Sequence, residues 1–351
     1  MRKLRQYLLG KEGVTNYYHV VSRVAGRELV FGDEEKEQFR RLLVRQLRFS
    51  GLKAIAWCCM GNHFHLLLEV PDRVSSLEGW GEEDYLRRLK FLADEEHTKG
   101  ILRDIAMWKR NGARDEITRI ANLVKARLFD LSRFMQELKH KFSVWFNKRH
   151  GRKGTLWEER FKSVLLEGPD VSEMGNHAVK MVSGYIDLNP VRAGIVEDPK
   201  DYRWCGYATA VAGIRASRIG VAKALGRGAR SPWRQTASEY RRLLFAAGLE
   251  RAGGCTAAGY VQARRGFTRE QAERVYQDGG ELPLHVVLRC QVRYFSDGVA
   301  LGSREFLEDY FEARPGMFGS SRKSGPRKMK GANWEGLMSI RDLVVDVITP
   351  A

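Results

Sequence analysis

Two stretches of the chain carry residue types at spacings that suit nucleophilic and metal-assisted chemistry. The first is Met60-Gly61-Asn62-His63-Phe64-His65-Leu66-Leu67-Leu68-Glu69-Val70. A β-prone run after a Gly-Asn turn predicts a hairpin, with strands over 53–59 and 63–70. Side chains alternate along a strand, so His63 and His65 share one face while Phe64 takes the other. Two neighbouring imidazoles are poor core material, because each needs partners for two ring nitrogens, yet they make good ligands for a divalent cation. Taken alone, the pair fits two half-buried histidines on an ordinary strand equally well. The second stretch is Gly184-Tyr185-Ile186-Asp187-Leu188-Asn189-Pro190-Val191-Arg192-Ala193-Gly194. Residues 171–188 read as a helix that Pro190 stops, since the residue before a proline is biased away from helical geometry. Tyr185 and Asn189, four apart, share one face of its last turn, so a phenol nucleophile and an amide oxygen point at whatever lies opposite.

The elements that must position these groups follow from periodicity. Residues 17–23 alternate as a strand. Asp33 caps a helix over 34–49 whose stripe is Phe39, Leu42, Leu43, Gln46 and Leu47, and the histidine hairpin comes next. The charge-rich stretch of about 74–130 reads as a helical insertion, longer than an ordinary loop and suited to an accessory surface. Ser132 caps a helix to about 150 with Phe134, Leu138, Phe142, Trp145 and Phe146 on its apolar side, 157–166 is the last strand, and the tyrosine helix follows. The order is β-α-β-β-α-β-α. It predicts an α+β fold, an antiparallel sheet with helices on one face.

Length suggests two or three domains for 351 residues. With 60 Lys+Arg against 43 Asp+Glu, a net charge of +17 points to a polyanionic partner, nucleic acid before membrane. Basic residues interleave with aromatics along the 132–150 helix and its following turn, at Arg133, Lys148, Arg149, Arg152 and Lys153, which suits single-stranded nucleic acid. Arg23, at a strand end, either grips a phosphate or is a solvated charge. Five cysteines, odd in number and without a CxxC pair, fit reduced thiols in a cytoplasmic protein, and Cys58 and Cys59 read as packing residues. The first nine residues lack the apolar core of a signal peptide, and no window approaches the ~18 apolar residues of a membrane span. Beyond 213 the sequence turns Arg-, Ala- and Gly-rich. A mainly helical basic region is expected over 214–351, with helices at 238–247, 268–278 and 303–312 and a flexible basic arm at about 319–331.

A His-hydrophobic-His strand with a tyrosine on a late helix is similar to the single-tyrosine HUH nucleases, and the chain resembles the REP-associated tyrosine transposases among the insertion-sequence transposases of that type. The resemblance rests on segments in the family's order over residues 15–213: Tyr18-His19-Val20-Val21-Ser22-Arg23, Leu131-Ser132-Arg133-Phe134-Met135, Asn147-Lys148-Arg149-His150-Gly151, the run from Leu156 to Ser163, and the run from Tyr185 to Val196. It implies a ferredoxin-like HUH core over 1–213. It also implies a Mg2+ or Mn2+ ion on His63, His65 and a polar residue one turn after the tyrosine, here Asn189, whose place before a proline also reads as a helix stop. Tyr185 would be the nucleophile, leaving a 5′-phosphotyrosine and a free 3′-OH on single-stranded or hairpin DNA, in a monomer or homodimer. Arg160, Lys162 and Arg192, inside the family-like segments, join the expected DNA contacts. A non-catalytic hairpin-binding protein or repressor is the alternative. A phosphohydrolase acting on small nucleotides would need more carboxylate ligands.

Overall fold

Alternating apolar residues build β1 (Asn16–Arg23) and the hairpin β2 (Lys53–Cys59) and β3 (His63–Val70), joined by the Gly61-Asn62 turn. The computed structural model describes residues 13–92, 95–169, 171–245, 295, 298–318, 322, 324–329 and 334–341. β3 pairs antiparallel with β2 and with β1, and β1 pairs antiparallel with β4 (Lys162–Leu166). The order β2-β3-β1-β4 is that of a ferredoxin-like core. The last strand is shorter than expected: Trp157 makes only a lone bridge with Val24, and the chain leaves the sheet before rejoining it at Lys162.

Helices cover both faces of this sheet rather than one. α1 (Asp33–Ser50) and α6 (Leu131–Arg149) bury Phe39, Leu43, Phe134, Leu138 and Phe142 against Tyr18, Val20, Phe64, Leu66 and Leu68. The opposite face, Tyr17, Leu67, Val164 and Leu166, receives Val179, Val182 and Ile186 of α7 (Glu173–Asp187). Each such fully buried side chain contributes about 1.5–3 kcal/mol. The reason is plain in the alternation, since every one of these strands is apolar on both faces and needs a cover on each. Between β3 and α6 run α2 (Arg73–Leu77), α3 (Glu82–Arg88), α4 (Glu95–Arg110) and α5 (Arg114–Lys125), which gather Tyr85, Leu86, Ile117 and Val124 into a separate cluster against Phe49 of α1.

Caps differ from expectation in two helices. Gly32, not Asp33, is the N-cap of α1, with its N–H donating to Glu35 at 2.9 Å, and Asp130 caps α6 through Arg133 N, a residue pair earlier than Ser132. α7 opens on Ser172, whose hydroxyl accepts from Gly175 N at 3.0 Å. Gly175 also lets the helix pass close to the chain leaving β4: a Cβ there would stand 2.0 Å from the Gly168 carbonyl oxygen.

After α7 come α8 (Asn189–Arg192), α9 (Gly206–Val211), α10 (Arg215–Ala224) and α11 (Trp233–Phe245). The late chain then returns to the sheet, so the sheet is mixed rather than wholly antiparallel. β5 (Ala300–Gly302) pairs parallel with β4, and β7 (Met338–Ile340) and β6 (Arg327–Lys328) extend it. The physical cause is the open edge of β4, whose unpaired backbone groups bond the late segment: Leu165 N donates to Val299 O and Glu167 N to Leu301 O. α12 (Arg304–Glu312) is capped by Ser303 as expected, while part of the segment expected as a flexible arm forms β6, with Gly325 and Met329 buried. The helix expected at 268–278 lies outside the described residues.

Candidate functional site

The face of β3 turned toward α7 carries His63, His65 and Leu67, and β1 supplies His19 beside them. His65 is 5% exposed and His19 fully buried. On the facing helix, the Tyr185 ring lies edge-on to both, with centroids 5.9 Å from His65 and 6.1 Å from His19. Strand pair and tyrosine helix therefore meet as the alternation required.

Hydrogen bonds fix which nitrogen of each imidazole carries the proton. His19 Nδ1 lies 2.6 Å from the Phe295 carbonyl, which can only accept, so His19 donates from Nδ1 and keeps its lone pair on Nε2. That lone pair, 2.9 Å from His65 Nδ1, takes the His65 Nδ1–H and leaves the His65 lone pair on Nε2. His63 Nδ1 lies 2.7 Å from Asn62 Oδ1, and the Asn62 amide is oriented by donation from Nδ2 to Arg27 O at 2.6 Å. The lone pair of His63 is therefore on Nε2 too. Burial holds all three neutral: it pulls His63 and His19 down from 6.5 to about 4, with Arg23 and Arg192 adding to the first and Arg192 to the second against the Phe295 carbonyl. His65 goes well below its usual value, by burial first and then the neighbouring histidines. Two desolvated imidazoles with free Nε2 lone pairs are competent metal donors at neutral pH.

The tyrosine helix ends within a residue of its expected end, with Leu188 as the C-cap, but a second helix follows at once. α7 closes at Asp187, Leu188 keeps helical angles, and Asn189 opens α8 with Pro190 inside its first turn, where a missing N–H is harmless. Asn189 is thus helical rather than a stop. Its Nδ2 is buried without a hydrogen-bond partner, an amide that a further group in the site would satisfy. One turn on, the half-buried Arg192 guanidinium stacks on the Tyr185 ring at 4.0 Å and donates to Tyr185 O at 2.7 Å, so it sits at the tyrosine. Among the described residues no group of three or more His, Cys, Asp or Glu is arranged around a metal ion. The donors brought together here are the two imidazole nitrogens on one face of β3, a pair that fits Mn2+ or Mg2+ once oxygen ligands complete the shell.

The other basic residues separate into groups. Arg23 stands opposite His63 in the β1–β3 register, and Lys162 opposite Val21. Arg160 donates to Ser132 Oγ at 3.2 Å and so comes beside Arg133. Lys148, Arg152 and Lys153 are exposed at the end of α6 and in its turn, whereas Arg149 is committed to Glu34 at 2.6 Å. The other tyrosines of this region turn away: the Tyr202 hydroxyl donates to Cys59 O at 2.7 Å, and Tyr207 lies in the cluster around Tyr240. Cys58, Cys59 and Cys205 are buried free thiols that pack. His19, Phe295 and Asn62 were not assigned a role from sequence. For His19 the signal was present as an imidazole in the middle of an otherwise apolar strand.

Strand order and site together define a ferredoxin-like α+β domain with paired strand histidines facing a helical tyrosine. Residues 14–79, from β1 through the histidine hairpin to α2, match the model of a family described as "Transposase IS200 like", which agrees with the resemblance read from the motifs. No curated protein matches the chain. A solved structure titled as the REP-associated tyrosine transposase bound to a REP hairpin is 15% identical, covering 61% of this chain and 87% of that one with a TM-score of 0.36, a likeness too loose to bear on the site. Among the described residues no helix is long and apolar enough to cross a membrane.

Proposed function

We propose that the chain is a metal-dependent transposase-type nuclease that cleaves and rejoins single-stranded DNA at hairpin sites through Tyr185. The observation that carries this reading is that His65, with its lone pair on Nε2, lies against the ring of Tyr185, while His63, with its lone pair also on Nε2, stands beside His65 on the same strand face. His63, His65 and Asn189 would hold the divalent ion, which when bound supplies positive charge to polarise the scissile phosphate. Tyr185 Oη attacks phosphorus in line, the P–O3′ bond breaks, and the phenolic proton ends on the departing 3′ oxygen. The products are a 5′-phosphotyrosine and a free 3′-OH, and the reverse step rejoins the strand. Arg192, on the Tyr185 ring, offers a planar fork to the phosphate as it arrives, and Arg23 adds charge at the His63 end. Exposed Lys148, Arg152, Lys153, Arg133 and Arg160 track the backbone beyond it.

One observation favours a second reading, a hairpin-binding protein without catalysis: Tyr185 is only 3% exposed, under Phe295 at 5.2 Å. The two readings separate on a denaturing gel after incubation with labelled single-stranded hairpins and Mn2+. Cut strands and a protein-linked species are expected. Tight binding with uncut DNA at every Mn2+ concentration would favour the second reading.

A further inference from the structure

His63 and His65 are supported in different ways. The His63 proton is fixed within the hairpin, by its neighbour Asn62 and the nearby Arg27 carbonyl. His65 depends on partners far away in the chain: His19 is 46 residues distant, and the Phe295 carbonyl that orients His19 lies 276 residues from it. We propose that His19 is a positioning residue that, anchored by the late-chain Phe295 carbonyl, keeps the His65 proton on Nδ1 and so leaves the His65 lone pair on Nε2; the consequence for metal rests on the site reading above.

The chemistry requires such a partner. An imidazole offers a lone pair on only one nitrogen when neutral, and the hydrogen bond made by the other nitrogen decides which. His65 is 5% exposed, and a proton on its Nδ1 without an acceptor would be an orphaned buried donor. His19 Nε2 is the acceptor at 2.9 Å, with the two rings only 18° from parallel, as two imidazoles joined edge to edge should be. His19 in turn holds its lone pair on Nε2 because its Nδ1–H is taken by a carbonyl. Phe295 also packs its ring on Tyr185 and on Trp334 next to β7, so the residue that orients the histidine relay also covers the phenol. The late chain is thereby built into the site as well as into the sheet edge.

The test uses the full chain labelled with 15N-histidine and no metal, reading the protonated nitrogen of His65 from long-range proton–nitrogen correlations. The expected result is a proton on Nδ1 in the wild type and on Nε2 in His19→Phe. Mn2+ affinity, followed by the electron paramagnetic resonance signal of the free ion, should fall about 10- to 100-fold in His19→Phe, the usual effect of losing a residue that orients a metal-binding histidine. His19→Gln, whose amide oxygen stands near the place of Nε2, should restore both readouts. A wild-type His65 protonated on Nε2 overturns the proposal whether or not the variants fold. So does a folded His19→Phe with unchanged tautomer and Mn2+ affinity. A wild type that binds no Mn2+ yet shows His65 protonated on Nδ1 removes the metal reading and leaves the relay standing.

Discussion

Asp187 closes the helix that carries Tyr185, and its replacement by asparagine should invert part of the protein's pH dependence. The side chain is 1% exposed; Oδ2 accepts the Tyr240 hydroxyl at 2.7 Å and Oδ1 the Tyr207 N–H at 3.2 Å. Burial lifts its pKa from 3.8 to about 7, against the two donors, which pull it down. The folded chain therefore keeps a proton that the unfolded chain has released, so this group's contribution to stability is full below about pH 4 and is lost as pH rises through about 7. About three units at about 1.4 kcal/mol each put the loss on the order of 4 kcal/mol. Asp187→Asn cannot ionise, and its one amide oxygen can accept from only one of the two donors while its NH2 faces the other, a cost of about 1 kcal/mol. Urea unfolding from pH 4 to pH 8.5 should find the variant slightly less stable at the acid end and about 3 kcal/mol more stable at the alkaline end. Parallel stability curves for the two proteins would refute the assignment of a buried, protonated Asp187.

Further outcomes follow from the same geometry. His19 and His63, held down to about 4, bind protons more weakly folded than unfolded, so they should cost stability as pH falls from about 6.5 toward 4; His63→Phe should flatten that limb of the unfolding curve. Arg152→Ala or Lys153→Ala should reduce the slope of log affinity against log salt by about 0.7 each on single-stranded DNA, while Arg149→Ala, already paired with Glu34, should change it less. Gly175→Ala drives a Cβ into the Gly168 carbonyl and should cost about 1–3 kcal/mol in thermal unfolding, with cleavage falling as α7 is displaced from β3.

The core order and the sharing of one strand face by His63 and His65 were legible because strand alternation and helix spacing are local properties of the chain. What was not legible depended on register and on long-range pairing. His19 reaches His65 only because β1 and β3 align Val21 with His65 and His19 with Leu67, which no run of residues in either strand specifies. Phe295 arrives from the late chain, and β5 joins β4 in parallel after a connection of more than a hundred residues, a pairing driven by the open β4 edge rather than by any pattern in β5 itself. The basic residues were visible as charge, but what each charge meets within the fold is set by neighbours distant in sequence: Arg149 pairs with Glu34, while Arg192 lies on Tyr185. Pro190 read as a stop because proline usually ends a helix; here it lies in the first turn of α8, where its fixed φ is an advantage.

The central claim is that Tyr185 is the nucleophile, and trypsin isolates it. Cleavage after Lys180 and Arg192 releases the peptide running from Met181 to Arg192, in which Tyr185 is the one tyrosine. Wild-type protein incubated with a short single-stranded hairpin and Mn2+, then digested with nuclease and trypsin, should yield this peptide with a nucleotide attached to Tyr185 in the mass spectrum. Tyr185→Phe should still bind the hairpin and yield no adduct on any peptide. An adduct on another residue, or one that persists in Tyr185→Phe, would contradict the account.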